Sequence, residues 1–269
     1  MQRTMVGVGA VVAFLAWALP AHACGYGVRS PLERFNAAEW VVVGKVTHYE
    51  DRTVKALPYP GAKEEQEFAL AELEVGTSIK GADGLTHIRI GLNLAQTLPV
   101  GKEACYFLNP HFEEAFCVMP GRFGVPILRE NNPGFDKEVR EFQRWGRLLK
   151  DPMTGLTSDD ADERFLTAAL LINQYRTFRP GFHAQSAKTE EIDAKQSKLI
   201  LMALAEADWS KASFDNTVTA QGLFFQLGAS EKDGWQPHRD QDAKGFEIAA
   251  KNWLKEHAET FRVTTFVAA

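Results

Sequence analysis

Between residues 40 and 92 the hydrophobic positions of the chain recur with a period of two. Trp40 to Val46 is a nearly unbroken β-branched run, and the segments Gln66 to Val75 and Thr86 to Leu92 alternate apolar with polar residues. The apolar positions of the two alternating segments are Ala69, Ala71, Leu73, Val75, Ile88, Ile90 and Leu92. Alternation of this kind predicts strands of a sheet with one buried face.

Turn residues separate two of these strands, and a predicted helix cap precedes the first strand. The segment Gly81 to Gly84 is glycine-rich and predicts a turn. Ser30 as the N-cap, Pro31 at the first helical position and Glu33 two residues later predict a short helix from Pro31 to Ala38. One small helix and about five short strands suggest a compact β-barrel over residues 24–128, with the OB type among the candidates.

From about Phe135 the hydrophobic period becomes helical. Four groups of apolar residues recur at helical spacing, and the sequence Ser158 to Asp160 predicts the cap of the second group. The groups are Val139, Phe142, Trp145 and Leu149; Ala161, Phe165, Ala169, Ile172 and Tyr175; Leu199, Ile200, Ala203 and Leu204; and Phe246, Ala249, Ala250, Trp253 and Leu254. We therefore predict a linker with one helix at 129–157 and an α-helical bundle at 158–269, with a strand-like end from Phe261 to Val267. The predicted fold class is α+β.

The first 23 residues have the layout of a secretory signal peptide. Arg3 is the only charged residue, an apolar run extends from Val6 to Pro20, and Ala21-His22-Ala23 is a small-x-small cleavage site. No later segment has the length of a membrane span. We expect an exported protein, periplasmic or extracellular, whose mature chain begins at Cys24.

A lipid anchor on Cys24 is the alternative reading of the same junction. The residue three positions before the cleavage site is Ala21, where lipoprotein signals usually carry leucine, and His22 fits that motif poorly. The sequence therefore favours an unmodified terminal cysteine.

Three cysteines remain in the mature chain, which is an odd number. Export to an oxidising compartment favours one disulfide and one remaining thiol. Cys105 and Cys117 flank a segment that predicts a hairpin around Asn109-Pro110, so they could bridge across adjacent strands. The other possible pairing joins Cys24 to Cys117, and the residue pattern leaves both open.

The charge balance excludes some classes of partner. The 269-residue chain has a formal net charge of −5, with 30 basic and 35 acidic residues. Removing Arg3 with the leader leaves 29 basic residues and a net charge of −6. An acidic surface argues against nucleic acid and anionic membranes as partners.

Catalytic and metal-binding motifs are missing from the sequence. It contains no His-Glu-x-x-His, Gly-x-Ser-x-Gly, Cys-x-x-Cys or phosphate-binding glycine loop. The mature histidines are scattered, at His48, His87, His111, His183, His238 and His257. We predict a protein without cofactor or metal, and an enzyme is the last of the functions considered.

The order of residues in the N-terminal half carries a family resemblance. Cys24, Pro31, Phe35, Glu39 and the strand Trp40 to Val46 come first, followed by Ile79-Lys80-Gly81 and Val100-Gly101-Lys102. This set resembles the N-terminal domain of the tissue inhibitors of metalloproteinases and the wider netrin-like group, whose fold is an OB barrel. The resemblance covers residues 24–125. The helical half resembles the back half of uncharacterised exported bacterial proteins.

The resemblance implies a role for the mature N-terminus. In those inhibitors the terminal cysteine chelates the protease zinc through its α-amino nitrogen and carbonyl oxygen. The corresponding residues here are Cys24, Gly25 and Tyr26, and family geometry favours a bridge from Cys24 to Cys117. This chain has Tyr26 and Asn36 where the family has two further cysteines.

These observations give three ordered hypotheses about function. The first is an exported, non-enzymatic module that binds a protein partner. The second is a metalloprotease inhibitor that acts through Cys24. The third is a structural protein of the cell envelope.

Overall fold

The computed structural model describes residues 31–119, 125–177, 187–211, 218–236 and 242–268. It has mixed α+β character, as predicted, and the described residues form seven α-helices, a six-stranded sheet and a two-stranded ribbon. The helices are α1 (Pro31–Ala37), α2 (Phe135–Lys150), α3 (Pro152–Leu156), α4 (Ala161–Arg176), α5 (Ala194–Glu206), α6 (Ala220–Leu227) and α7 (Ala243–Glu256). The strands are β1 (Trp40–Ala56), β2 (Gln66–Lys80), β3 (His87–Asn93), β4 (Glu103–Pro110), β5 (Cys117–Val118), β6 (Ile127–Leu128), β7 (Ala187–Glu191) and β8 (Thr264–Ala268).

The strand pairings of the larger sheet return to their starting point. β1 pairs with β2 and β2 with β3, both antiparallel, and β3 pairs in parallel with β5. β5 then pairs antiparallel with β4, and β4 pairs antiparallel with β1 from Trp40↔Leu108 to Lys45↔Glu103. β6 also pairs antiparallel with β4, at Ala104↔Leu128. Each of the first five strands therefore has two neighbours in the circuit.

The start of β1, residues 41–44, and most of β4 are buried on both faces, which explains the apolar run at the start of β1. Val42 and Tyr106 belong to a second core, whose residues come mainly from the strands of the larger sheet. The alternate residues Val41 and Phe107 belong instead to the main core, which they share with the helices. A strand covered on both sides needs apolar residues at every position, whereas β2 and β3 keep a polar side.

The segment 129–157 packs into the main core. It holds α2 and the short helix α3, where the sequence predicted a single helix. Phe142 and Trp145 of α2 lie 5.9 and 5.4 Å, ring centre to ring centre, from Phe35 of α1. Helix α2 therefore joins the sheet half to the helices that follow it.

Helix α4 is buried around most of its circumference between residues 166 and 173. The predicted single stripe through Ala169 and Ile172 is too narrow, because α1, α2, α3, α5, α6 and β8 all contact this helix. Its predicted N-terminal cap is confirmed: the Asp160 carboxylate accepts a hydrogen bond from the backbone N–H of Asp162 at 2.9 Å.

Two strand predictions need correction. The hairpin turn between β4 and β5 spans residues 111–116, because Asn109 and Pro110 still pair with Val118 and Cys117. The terminal strand β8 begins at Thr264 and pairs with β7. The predicted N-cap Ser30 lies outside the described residues.

No helix among the described ranges has both the length and the apolar character required to cross a membrane.

Candidate protein-binding surface

The predicted binding residues Cys24, Gly25 and Tyr26 lie outside the described residues, as does the Cys24 end of the preferred disulfide. The structure does describe its other end, Cys117, in β5. Cys117 is buried and pairs with Pro110, and the neighbouring Asn109 accepts a hydrogen bond from the backbone N–H of Glu39. This places Cys117 near the connection between α1 and β1.

Cys105 and Cys117, the alternative disulfide pair, are not brought together. Cys117 is paired with Pro110, five positions along β4 from Cys105, a separation of about 17 Å at the usual rise of a strand. The two side chains also belong to different cores. A disulfide requires Cα atoms within about 7 Å, and the structure has both residues as free thiols.

Both described thiols are protonated, and therefore unreactive, at neutral pH. Burial raises the pKa of Cys105 to about 12 and that of Cys117 to about 12. A nucleophile or a metal ligand needs the thiolate form at neutral pH. In this reduced state, neither cysteine offers catalytic chemistry.

An open groove runs along the junction between the sheet half and the helical half. Two cavities, of about 710 and about 650 Å³, both border Lys80, Gly81 and Gln174. We call these two cavities together the junction groove. The first is lined by the end of α1, the start of β1, the end of α4 and β8; the second by the end of β2 and the last turns of α2.

Strand β8 contributes the consecutive residues Thr265, Phe266 and Val267 to the groove. Successive side chains of a strand point to opposite faces, so a run of neighbours along one wall indicates that the strand presents its edge. Within the described ranges β8 pairs only with β7, and no residue of β7 lines the groove. The other edge of β8 therefore borders the groove.

The floor of the groove is held by hydrogen bonds to the end of α1. The Lys80 ammonium donates to the carbonyl oxygens of Phe35 and Ala38 at 2.9 and 2.7 Å. The backbone N–H of Glu39 donates to Asn109 Oδ1 at 2.8 Å. Gly81 has a φ of +73°, and a Cβ there would lie 2.3 Å from the Glu39 carbonyl oxygen. This close approach permits only glycine.

Close packing also places α2 beside the groove. A Cβ on Gly146 would lie 2.3 Å from the carbonyl oxygen of Ile79 in β2, so the helix backbone touches the strand backbone. Arg147, in the next position, is exposed and lines the groove near the ion pair between Lys150 and Asp83. The groove is therefore apolar near Phe266 and charged at its α2 end.

The described histidines are apart from one another. His48 and His87 are exposed on the sheet, and His111 is buried in the turn after β4. His183 and His238 lie outside the described residues. Across the ranges that the structure describes, no three His, Cys, Asp or Glu side chains are grouped as metal ligands.

The sequence pattern does not predict the groove, whose residues come from six separate elements. In the sequence, Gly81 marks a predicted turn, and Lys80 and Gly81 belong to the family resemblance. No local pattern marks Gln174 or β8 as their neighbours.

No family model matches the chain, and no curated protein matches it at a significant level.

Proposed function

We propose that this chain is an exported, non-enzymatic module that binds an extended segment of a protein partner in the junction groove. The observation that carries the proposal is the edge of β8 beside an open groove. A strand edge offers backbone N–H and C=O groups to an incoming segment, and side-chain pockets beside it give specificity. The apolar run in residues 6–20 and the site before Cys24 support export.

The proposal includes a finer description of the fold. The strand circuit β1-β2-β3-β5-β4-β1, with its parallel β3–β5 pair, supports an OB-type barrel like that of the netrin-like group. Helices α4 to α7 would then form the predicted bundle, packed on one side of this barrel with α2 and α3 between the two. The shared core on the outer side of β1 and β4 supports that arrangement.

A test uses peptides selected from a random displayed library on the mature protein. The blocking variant is Gln174→Trp, because Gln174 is exposed and borders both cavities. We expect peptide affinity to fall by about tenfold or more, since an indole fills the place where the cavities meet. We also expect slower amide hydrogen exchange in Thr264–Ala268 when the peptide is bound.

The matched control is Gln221→Trp, which places the same side chain on an exposed position of α6 away from the groove. It should bind peptide like the wild type. Equal affinities for all three proteins, or no change of exchange in β8, would refute binding in the groove.

The second candidate is inhibition of a zinc protease through Cys24, and the position of Cys117 favours it. Helix α1 is about 10 Å long, and Cys117 lies in β5 opposite Pro110, beside the Asn109 that binds the backbone of Glu39 just beyond the end of α1. The seven residues from Cys24 to Pro31 can span up to about 25 Å. The N-terminal segment is thus long enough to return beside α1 and bring Cys24 to Cys117.

The inhibitor hypothesis depends on a free terminal amine, which gives a specific test. Mature protein that begins at Cys24 would be compared with protein carrying one added alanine before it, against a panel of zinc proteases. We expect inhibition by the first and at least about a tenfold loss in the second, because the added residue removes the chelating amine. The absence of inhibition, or equal inhibition by both, would exclude this mechanism.

A further inference from the structure

A second surface lies on the other side of Glu39 from the junction groove. The loop after β1 and the turn after β4 meet there around a small cavity of about 60 Å³. Its walls include Pro58, Pro60 and Pro110, with Tyr59 and Phe112 beside them. Tyr59 is 55% and Phe112 is 42% exposed. Exposed aromatic residues beside a cavity are typical of anchor positions in interfaces.

The turn that carries Phe112 is rigidly held by His111. The His111 Nε2–H donates to the Leu57 carbonyl at 2.8 Å, and Nδ1 accepts from the N–H groups of Glu113 and Glu114 at 3.2 and 3.0 Å. The imidazole also stacks on Phe112, with ring centres 4.6 Å apart. The two loops are therefore fixed to each other before any partner binds, which lowers the entropic cost of binding.

Carboxylates are frequent in and beside these two loops. Glu39 borders the cavity, Glu113 and Glu114 follow Phe112 in the turn after β4, and Glu64 and Glu65 lie in the loop after β1; all five are exposed. None has an ion-pair partner in the part of the chain that the structure describes, and the charge of Glu114 also interacts with Arg89. Lys63 is the single cation in the two loops, residues 57–65 and 111–116. We call the two aromatic residues and these carboxylates the acidic–aromatic patch.

Asn109 adds a buried hydrogen-bond donor next to the same cavity. It is 3% exposed, and its Oδ1 is used by the N–H of Glu39. Its Nδ2 has no acceptor among the described residues. A buried donor without a partner costs free energy, and the carbonyl oxygen of a bound segment would supply the missing acceptor.

We propose that the acidic–aromatic patch binds a basic linear segment of a protein partner, with one apolar side chain seated between Tyr59 and Phe112 and flanking Lys or Arg side chains over the carboxylates. Complementary charge selects this occupant. A second copy of this acidic chain, a nucleic acid and an anionic membrane would each bring like charge to the patch. This inference concerns a different surface from the junction groove and does not depend on binding there.

The test measures fluorescence anisotropy of labelled, capped heptapeptides with the mature protein. The first probe has six lysines around a central leucine, and the second replaces the leucine by glycine. We expect the leucine peptide to bind about fivefold or more tightly than the glycine peptide, because the leucine enters the cavity. Raising NaCl from about 50 to about 300 mM should weaken both.

Two variants probe the patch, and two matched variants control for them. Tyr59→Ser with Phe112→Ser should abolish the preference for leucine, and Glu113→Gln with Glu114→Gln should weaken both peptides by about fivefold. The controls change an exposed aromatic residue elsewhere, Phe225→Ser, and an adjacent exposed pair in β7, Glu190→Gln with Glu191→Gln. Both controls should bind like the wild type.

The inference is overturned by any of three results. They are no binding of the leucine peptide, no preference for leucine over glycine, or an equal loss of affinity in the patch variants and the controls. The groove variant Gln174→Trp should bind the heptapeptides normally, so failure of this inference can be told apart from failure of the proposed function.

Discussion

The ammonium nitrogen of Lys80 lies 2.9 Å from the carbonyl oxygen of Phe35 and 5.0 Å from the centre of its ring. The same nitrogen donates to Ala38, one residue beyond the end of α1. The last carbonyl groups of a helix have no partner within the helix and carry partial negative charge. A side chain from the end of β2 thus caps a helix distant in sequence and shapes the floor of the junction groove.

Replacing Lys80 by methionine should destabilise the fold. The variant Lys80→Met keeps the length of the side chain but removes two charged hydrogen bonds, for an expected loss of about 2 kcal/mol in the free energy of unfolding. Urea denaturation would measure it. Lys150→Met is the control, because Lys150 lines the same groove and its ion-pair partner among the described residues is the exposed Asp83. Equal midpoints for the two variants would contradict a capping role for Lys80.

Replacing Gly146 by alanine should also destabilise the protein, against the trend of helix propensity. Alanine favours a helix over glycine by about 1 kcal/mol. A methyl group here, however, would lie 2.3 Å from the Ile79 carbonyl oxygen and force α2 away from β2. We expect a net loss of stability of about 1–3 kcal/mol in urea denaturation.

The control for this prediction is Gly222→Ala in α6. The nearest atom to the added methyl there is the Thr219 side-chain oxygen at 3.2 Å. We expect little change or a small gain of stability. A stabilised Gly146→Ala variant would show that α2 and β2 are not in backbone contact.

Replacing His111 by phenylalanine should loosen the turn after β4. A phenyl ring can still pack against Phe112 and Phe116, but three hydrogen bonds of the imidazole are lost. We expect a loss of about 2 kcal/mol and faster amide exchange at Glu113 and Glu114. The control His87→Phe changes an exposed histidine and should leave exchange in the turn unaltered.

Alkaline pH should destabilise the fold partly through Cys105. A thiol in the unfolded chain loses its proton near pH 9.0, whereas burial raises the pKa of Cys105 in the folded protein to about 12. The folded state binds more protons between these values, so the free energy of unfolding falls as pH rises from about 9 to about 12. Below pH 9 this thiol has no effect on the pH dependence.

Denaturant midpoints measured from pH 7 to pH 11 would check this prediction. The variant Cys105→Ala should lose less stability above pH 9 than the wild type. Tyr106, whose pKa burial also raises to about 12, is unchanged in both proteins. Parallel curves for the two proteins would mean that Cys105 ionises as easily in the folded state as in the unfolded chain.

Thiol counting would decide the state of the cysteines. In the native protein, Cys105 and Cys117 should resist an aromatic disulfide reagent at pH 8, because both are buried as neutral thiols. After denaturation without reductant, the mature protein should release one thiol if Cys24 is bridged to Cys117. It should release three if no bridge exists.

Local sequence determined most of the secondary structure of this protein. Alternation in β2 and β3, the proline start of α1 and the Asp160 cap of α4 act over a few residues, and the structure has each of them. The leader before Cys24 and the role of the mature N-terminus remain predictions from the sequence.

Only tertiary structure decided which faces are covered and where surfaces meet. The two-sided burial of residues 41–44 in β1 and the burial of α4 over residues 166–173 come from neighbours distant in the chain. The register of β4 with β5 separates Cys105 from Cys117. The junction groove unites Lys80, Gln174 and β8, and the acidic–aromatic patch unites two loops. Short-range sequence patterns indicate secondary-structure propensity and burial of one face. Contacts between distant segments depend instead on how whole helices and strands pack.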